Sequence, residues 1–89
     1  MPTIFVLNGF RFFFVSFDCA EPMHVHVTKG EKTCKYWVKA NKTAELADNY
    51  KFTKKELNAI ASIIVEKYTY IKRVWDEHCK DTPEKKYKK

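Results

Sequence analysis

The sequence predicts an α+β fold, a small antiparallel sheet of about four strands with one long C-terminal helix packed on one face. Three observations predict it. Asn8-Gly9 joins two β-rich runs, the segment from His24 to Lys39 alternates apolar and polar residues around a second turn, and a helical apolar face opens at Thr53 with no proline before Pro83.

Taken in order, Thr3 to Leu7 and Phe10 to Phe17 are β-branched and aromatic, and Asn8-Gly9 supplies the two positive φ angles of a type I′ turn. Such a loop pairs Leu7 with Phe10, Phe5 with Phe12 and Thr3 with Phe14 on one face. Val6 with Arg11 and Ile4 with Phe13 fall on the other, followed by Val15. Both faces are apolar enough to need cover, by the helix on one side and by a partner or second chain on the other. Asp18 to Pro22 breaks the pattern, and a strand follows from His24 to Thr28. Because side chains alternate along a strand, its two histidines share one face while Val25 and Val27 share the other. Lys29-Gly30-Glu31 turns the chain into Lys32 to Lys39. The inward set is then Val25, Val27, Cys34, Tyr36 and Val38, and the opposite face carries His24, His26, Lys35, Trp37 and Lys39. Ala40 to Tyr50 reads as a polar connector with a helical turn around Thr43 to Asp48.

Thr53 then serves as an N-cap, Glu56 completes a capping box, and Phe52 and Leu57 occupy the staple positions. Leu57, Ile60, Ala61, Ile64, Tyr68, Ile71, Trp75 and His78 keep one helical face to about Lys80, a rod of ~40 Å at 1.5 Å per residue. That is longer than a small sheet can cover, so its second half is expected to overhang or to pack in a dimer.

A chain of 89 residues supports one modest core. Residues 1–80 read as a single α+β domain and 81–89 as a basic, disordered tail. The formal charge of +6 owes much to Lys85, Lys86, Lys88 and Lys89. Basic excess favours polyanion partners through phosphate neutralisation, whereas a lysine-rich tail by itself is a solubilising end. Cys19, Cys34 and Cys79 are an odd number without a C-x-x-C pair, which argues against a disulfide framework and for a reducing compartment. No basic stretch leads into an apolar leader, and no run approaches the ~20 apolar residues that span a bilayer. The expected address is the cytoplasm, with no membrane partner.

The chemistry concentrates on His24 and His26. Two imidazoles on one strand face can donate, accept, coordinate or titrate near neutrality. As general acid and base beside the cations Lys35 and Arg11, they suit metal-free RNA cleavage, which needs a base for the 2′-hydroxyl, an acid for the leaving oxygen and a positive charge for the phosphate. Without catalysis the same face, with Trp37 as a stacking platform and Lys39 at its end, suits gripping a phosphate backbone while stacking a base. A purely structural use has the histidines orienting neighbouring loops with Glu21 or Asp18 as partners. A metal site would draw on Cys19, His24 and His26, completed by Cys34, Cys79 or His78. Cys19-x4-His24-x-His26 is no standard zinc spacing, however, and unconnected thiols usually pack. No metal and no cofactor are expected.

Pro2-Thr3-Ile4, Gly9 with Phe12-Phe13-Phe14, Ser16, Asp18, Glu21-Pro22, His24-Val25-His26-Val27, Lys35 with Trp37, and Phe52 with Glu56-Leu57 together resemble the small bacterial family catalogued as domain of unknown function 4160. The resemblance spans about residues 2 to 78, and the Pro-x-His-Val-His-Val core is its most specific part. The chain departs from the pattern at Met23, where a second proline is usual, and at Phe17 and Cys19, where polar residues are usual. The resemblance implies a small stand-alone protein of bacteria and mobile elements. Neighbouring genes in the family encode a second small uncharacterised protein, so the pair is read as toxin–antitoxin-like. It singles out His24, His26, Lys35 and Trp37. The resulting expectation is a toxin-like component of a two-gene system acting on or binding RNA, with a cognate antitoxin-like protein as partner. The alternative is a non-catalytic protein-binding module or adaptor that uses the aromatic hairpin and the helix, as a homodimer or with another chain.

Overall fold

The computed structural model describes residues 3–15 and 18–79. The expectations placed on Ser16, Phe17 and the basic tail lie outside those residues. Five strands, rather than about four, form one antiparallel sheet in sequence order: β1 (Thr3–Leu7), β2 (Phe10–Phe13), β3 (His24–Lys29), β4 (Lys32–Val38) and β5 (Ala44–Tyr50). Two helices follow, α1 (Lys54–Glu66) and α2 (Tyr68–Cys79).

The first hairpin forms where Asn8-Gly9 demands it. Asn8 and Gly9 take φ of 54° and 83°, and Leu7 pairs with Phe10, Val6 with Arg11 and Phe5 with Phe12. A side chain at Gly9 would also crowd Lys29, whose Cε would lie 3.2 Å from the added Cβ. Beyond Phe5 the register slips, so Thr3 pairs with Phe13 rather than Phe14. The extra residue is Ile4, which is buried in the core instead of sharing the face of Phe13.

Alternation sorts the next two strands as expected. Val25, Val27, Cys34, Tyr36 and Val38 are buried beneath the helices together with Phe10, Phe12 and Phe14. Each fully buried Val or Phe among them contributes ~1.5–3 kcal/mol from burial alone. The Tyr36 hydroxyl donates to the Leu57 carbonyl at 2.9 Å, tying sheet to helix.

Residues 44–50 are a strand, not the polar connector with a helical turn that their Ala-Glu-Leu-Ala composition suggests. A tight loop closes with Lys39 N–H donating to Thr43 at 2.8 Å and Lys42 at φ 67°, and this aims the segment back along β4. Backbone pairing to an open neighbour outweighs the low strand propensity. A bulge between the Lys35–Asp48 and Tyr36–Leu46 pairs absorbs Ala47. Asn49 then clamps Phe52, accepting from its N–H at 3.2 Å and donating to its carbonyl at 3.1 Å.

The capping box is formed. Thr53 Oγ1 accepts from Glu56 N–H at 3.2 Å, and a Glu56 carboxylate oxygen accepts from Thr53 N–H at 2.9 Å. Lys32 Nζ donates to the other carboxylate oxygen at 2.7 Å. These donors, Lys32 first and the Thr53 backbone second, hold the Glu56 carboxyl well below its usual range, at about 2. The single long helix is broken, however. Lys67 leaves helical geometry at φ −98°, ψ 17°, and its N–H is shared between the Ile63 and Val65 carbonyls. Neither proline nor glycine marks the site. The break lets Tyr68, Ile71 and Trp75 follow the twist of the sheet that Ile60, Ile63 and Ile64 already cover.

Cys19 and Cys79 form a disulfide between the short turn Asp18–Ala20 and the last residue of α2. This corrects the expectation of three unconnected thiols, and with it the argument from cysteines to a reducing compartment. A pairing across 60 positions leaves no local spacing signal. Cys34 is a free thiol, buried, and pushed up to about 12 first by desolvation and then by Asp48. It is therefore protonated and inert. No helix among the described residues is long and apolar enough to cross a membrane.

Candidate functional site: an aromatic and cationic sheet face

The helices cover one face of the sheet, and the candidate residues fall mainly on the other. On β2, Arg11 and Phe13 alternate with the buried Phe10 and Phe12, and the Arg11 guanidinium carbon lies 4.5 Å from the centroid of the Phe13 ring. Arg11 is steadied by Nε donating to Thr3 Oγ1 at 3.0 Å. The register sets Phe13 beside His26 of β3, and their rings stack at 5.5 Å and 25°. His26 pairs with Lys35 of β4. Lys35 Nζ sits 4.5 Å from the Trp37 ring centroid and donates to Glu21 at 3.3 Å. Arg11, Phe13, His26, Lys35 and Trp37 thus run as one row across three strands, with flat rings interleaved with cations. A shallow cleft of about 320 Å³ opens between Phe13, His26, Lys35 and Asp48.

His24 departs from the expected arrangement. Alternation assigns it to the open face, yet it is 0% exposed. Its ring packs at 5.2 Å from both His26 and Trp37 and at 5.6 Å from Trp75, which arrives from α2. The Nδ1 proton is donated to the Pro22 carbonyl at 2.8 Å, and Nε2 lies 3.8 Å from the Glu21 carboxylate. His24 therefore holds the Glu21-Pro22 turn and supports Trp37 and His26 from behind; His26, half-buried, is the imidazole that borders the cleft. Lys39 stands beyond the end of β4, exposed and paired with Glu45 at 3.0 Å. It is not part of the row.

Phe13 and Glu21 join the site without having been singled out as site residues. Phe13 was legible, since its alternation with Phe12 places it beside Arg11. Trp75 was not, because only the fold brings the end of α2 to the start of β3. Cys19 and Cys79 are consumed in their disulfide, and among the described residues no three His, Cys, Asp or Glu side chains converge as a metal site.

A five-stranded meander backed by two helices, with an uncovered face of rings and cations, defines a small single-sheet α+β protein built to present that face. The chain belongs to the family described as Domain of unknown function (DUF4160), whose model matches residues 9–76. No curated protein and no solved structure matches it.

Proposed function

We propose that the protein is the toxin-like component of a two-gene system and acts by binding RNA on its open sheet face. The observation that carries the RNA-binding part of this reading is the continuous row Arg11, Phe13, His26, Trp37 and Lys35, while the two-gene part rests on the family resemblance. Unpaired bases stack on aromatic rings whatever their identity, and neighbouring cations neutralise the phosphates between them. Phe13 and Trp37 supply the platforms, Arg11 and Lys35 the charges, and His26 the group that contacts phosphate or passes a proton. His24 acts through His26 and Trp37 as a positioning residue.

Fluorescence anisotropy with a labelled single-stranded oligouridine tests it. Binding should weaken steeply with salt, and Trp37→Ala should lose ~1–3 kcal/mol, the usual worth of one stacked base. An affinity indifferent to both salt and Trp37 would refute the assignment. The second reading, a non-catalytic protein-binding module, is favoured by a different observation, an apolar groove lined by Phe5, Val6, Leu7, Lys67 and Tyr70.

A further inference from the structure

The two edges of the sheet are finished differently. β5 carries Glu45 and Asp48, is bulged, and engages Lys39 in an ion pair, devices that discourage further strand pairing. β1 reads Thr-Ile-Phe-Val-Leu and carries no charge at all. Leu7 and Phe10 close a two-residue hairpin and so exchange both backbone bonds. Val6, in the next pair, therefore points its N–H and carbonyl away from β2 toward the open edge. Val6 as a whole is 62% exposed.

Beside that edge lies a groove of about 360 Å³ bounded by Phe5, Val6, Leu7, Lys67 and Tyr70. Tyr70 leans toward Phe5, with ring centroids 6.1 Å apart, and the Arg73 guanidinium carbon lies 5.4 Å from the centroid of the Tyr70 ring. Among the described residues Lys67 and Arg73 have no carboxylate within ion-pair distance, unlike Lys32, Lys35, Lys39, Lys51 and Lys72. The helix break explains the position of Lys67, which projects from the joint between α1 and α2.

We propose that the β1 edge and this groove receive an extended acidic segment of a different protein, added to the sheet as a sixth strand. Its backbone pairs with Val6, alternate apolar side chains enter between Leu7 and Tyr70, and its carboxylates meet Lys67 and Arg73. A second copy of this chain fits poorly. It brings another Lys67 and Arg73 to the same seam, and each chain already carries a net +6. The surface stands whether or not the opposite region of the sheet binds RNA.

The probe is a short fluorescein-labelled peptide alternating valine and glutamate, titrated into the full chain and followed by anisotropy and by amide NMR. Binding should shift the Val6 amide and weaken with salt. A peptide with lysine in place of glutamate should bind at least about tenfold more weakly, as should the glutamate peptide to the Lys67→Glu, Arg73→Glu double variant. Val6→Glu, a change at an exposed side chain, should weaken peptide binding while leaving the thermal midpoint at its parental value. The proposal is overturned if the glutamate peptide does not bind. It is also overturned if binding ignores the charge reversal, or if sedimentation shows a dimer that Val6→Glu dissolves.

Discussion

His24 and His26 lie two residues apart on one strand, yet substitution should separate them sharply. The His24 side chain is wholly buried, donates to the Pro22 carbonyl at 2.8 Å, and contacts the rings of His26, Trp37 and Trp75. Replacement by alanine removes a hydrogen bond worth ~1 kcal/mol. It also removes three ring contacts worth ~0.5–1.5 kcal/mol each. With a cavity left in their place, the loss should be ~3–4 kcal/mol, near the range for truncating a buried aromatic. Against a total of ~5–15 kcal/mol that is a large fraction. His26 is half-buried and stacks on Phe13, so His26→Gln should cost less than ~1 kcal/mol. Urea denaturation, read in parallel with oligouridine binding, makes the comparison. Per folded molecule the His24 variant should still bind more weakly, because Trp37 and His26 lose their support, and the His26 variant should lose binding or cleavage while keeping its stability. The reasoning is refuted if His24→Ala unfolds at the parental midpoint, or if His26→Gln destabilises as much as His24→Ala.

Two further outcomes follow from the frame around the site. Reducing Cys19–Cys79 reopens a loop spanning 60 positions. The chain-entropy relation then predicts a stability loss of ~4 kcal/mol as an upper bound, checked by urea midpoints with and without a dithiol reductant; a change under ~1 kcal/mol would contradict it. Acid stability should carry the signature of Glu56, whose carboxyl is lowered from 4.5 in the unfolded chain to about 2 in the fold. Its contribution is complete above about 4.5 and is lost as pH falls toward about 2, because the unfolded state binds the proton more readily. Glu56→Gln keeps the cap but cannot titrate, so its urea midpoint should fall less between those pH values than that of the parent.

Features encoded within a few residues were legible in the sequence. Asn8-Gly9 announced its turn because few pairs tolerate two positive φ angles, and Thr53 with Glu56 announced the helix start because each satisfies a backbone donor the other exposes. Alternation placed Val25, Val27, Cys34, Tyr36 and Val38 correctly inside and His26, Lys35 and Trp37 on the opposite face, whereas the face of Arg11 is settled only by the pairing of β2 with β3. What depended on distant partners was not legible. Ala44 to Tyr50 becomes a strand because β4 offers an open edge, and the burial of His24 includes a contact with Trp75, which returns on α2. Ile4 turns inward through a bulge that hairpin arithmetic does not contain, and Lys67 breaks the helix without proline or glycine.

The link from Cys19 to Cys79 also changes the topology of the polypeptide. β3, β4, β5 and both helices lie within one covalent ring, and the β1–β2 hairpin branches from it as an arm. A single protease cut at the exposed Ala40–Lys42 loop would open that ring without releasing a fragment, since both pieces stay joined through sulfur. The cut chain could then keep β4 and β5 side by side, with new termini at the loop. Those termini lie between β4 and β5, at the far end of the strand order from the β1 edge.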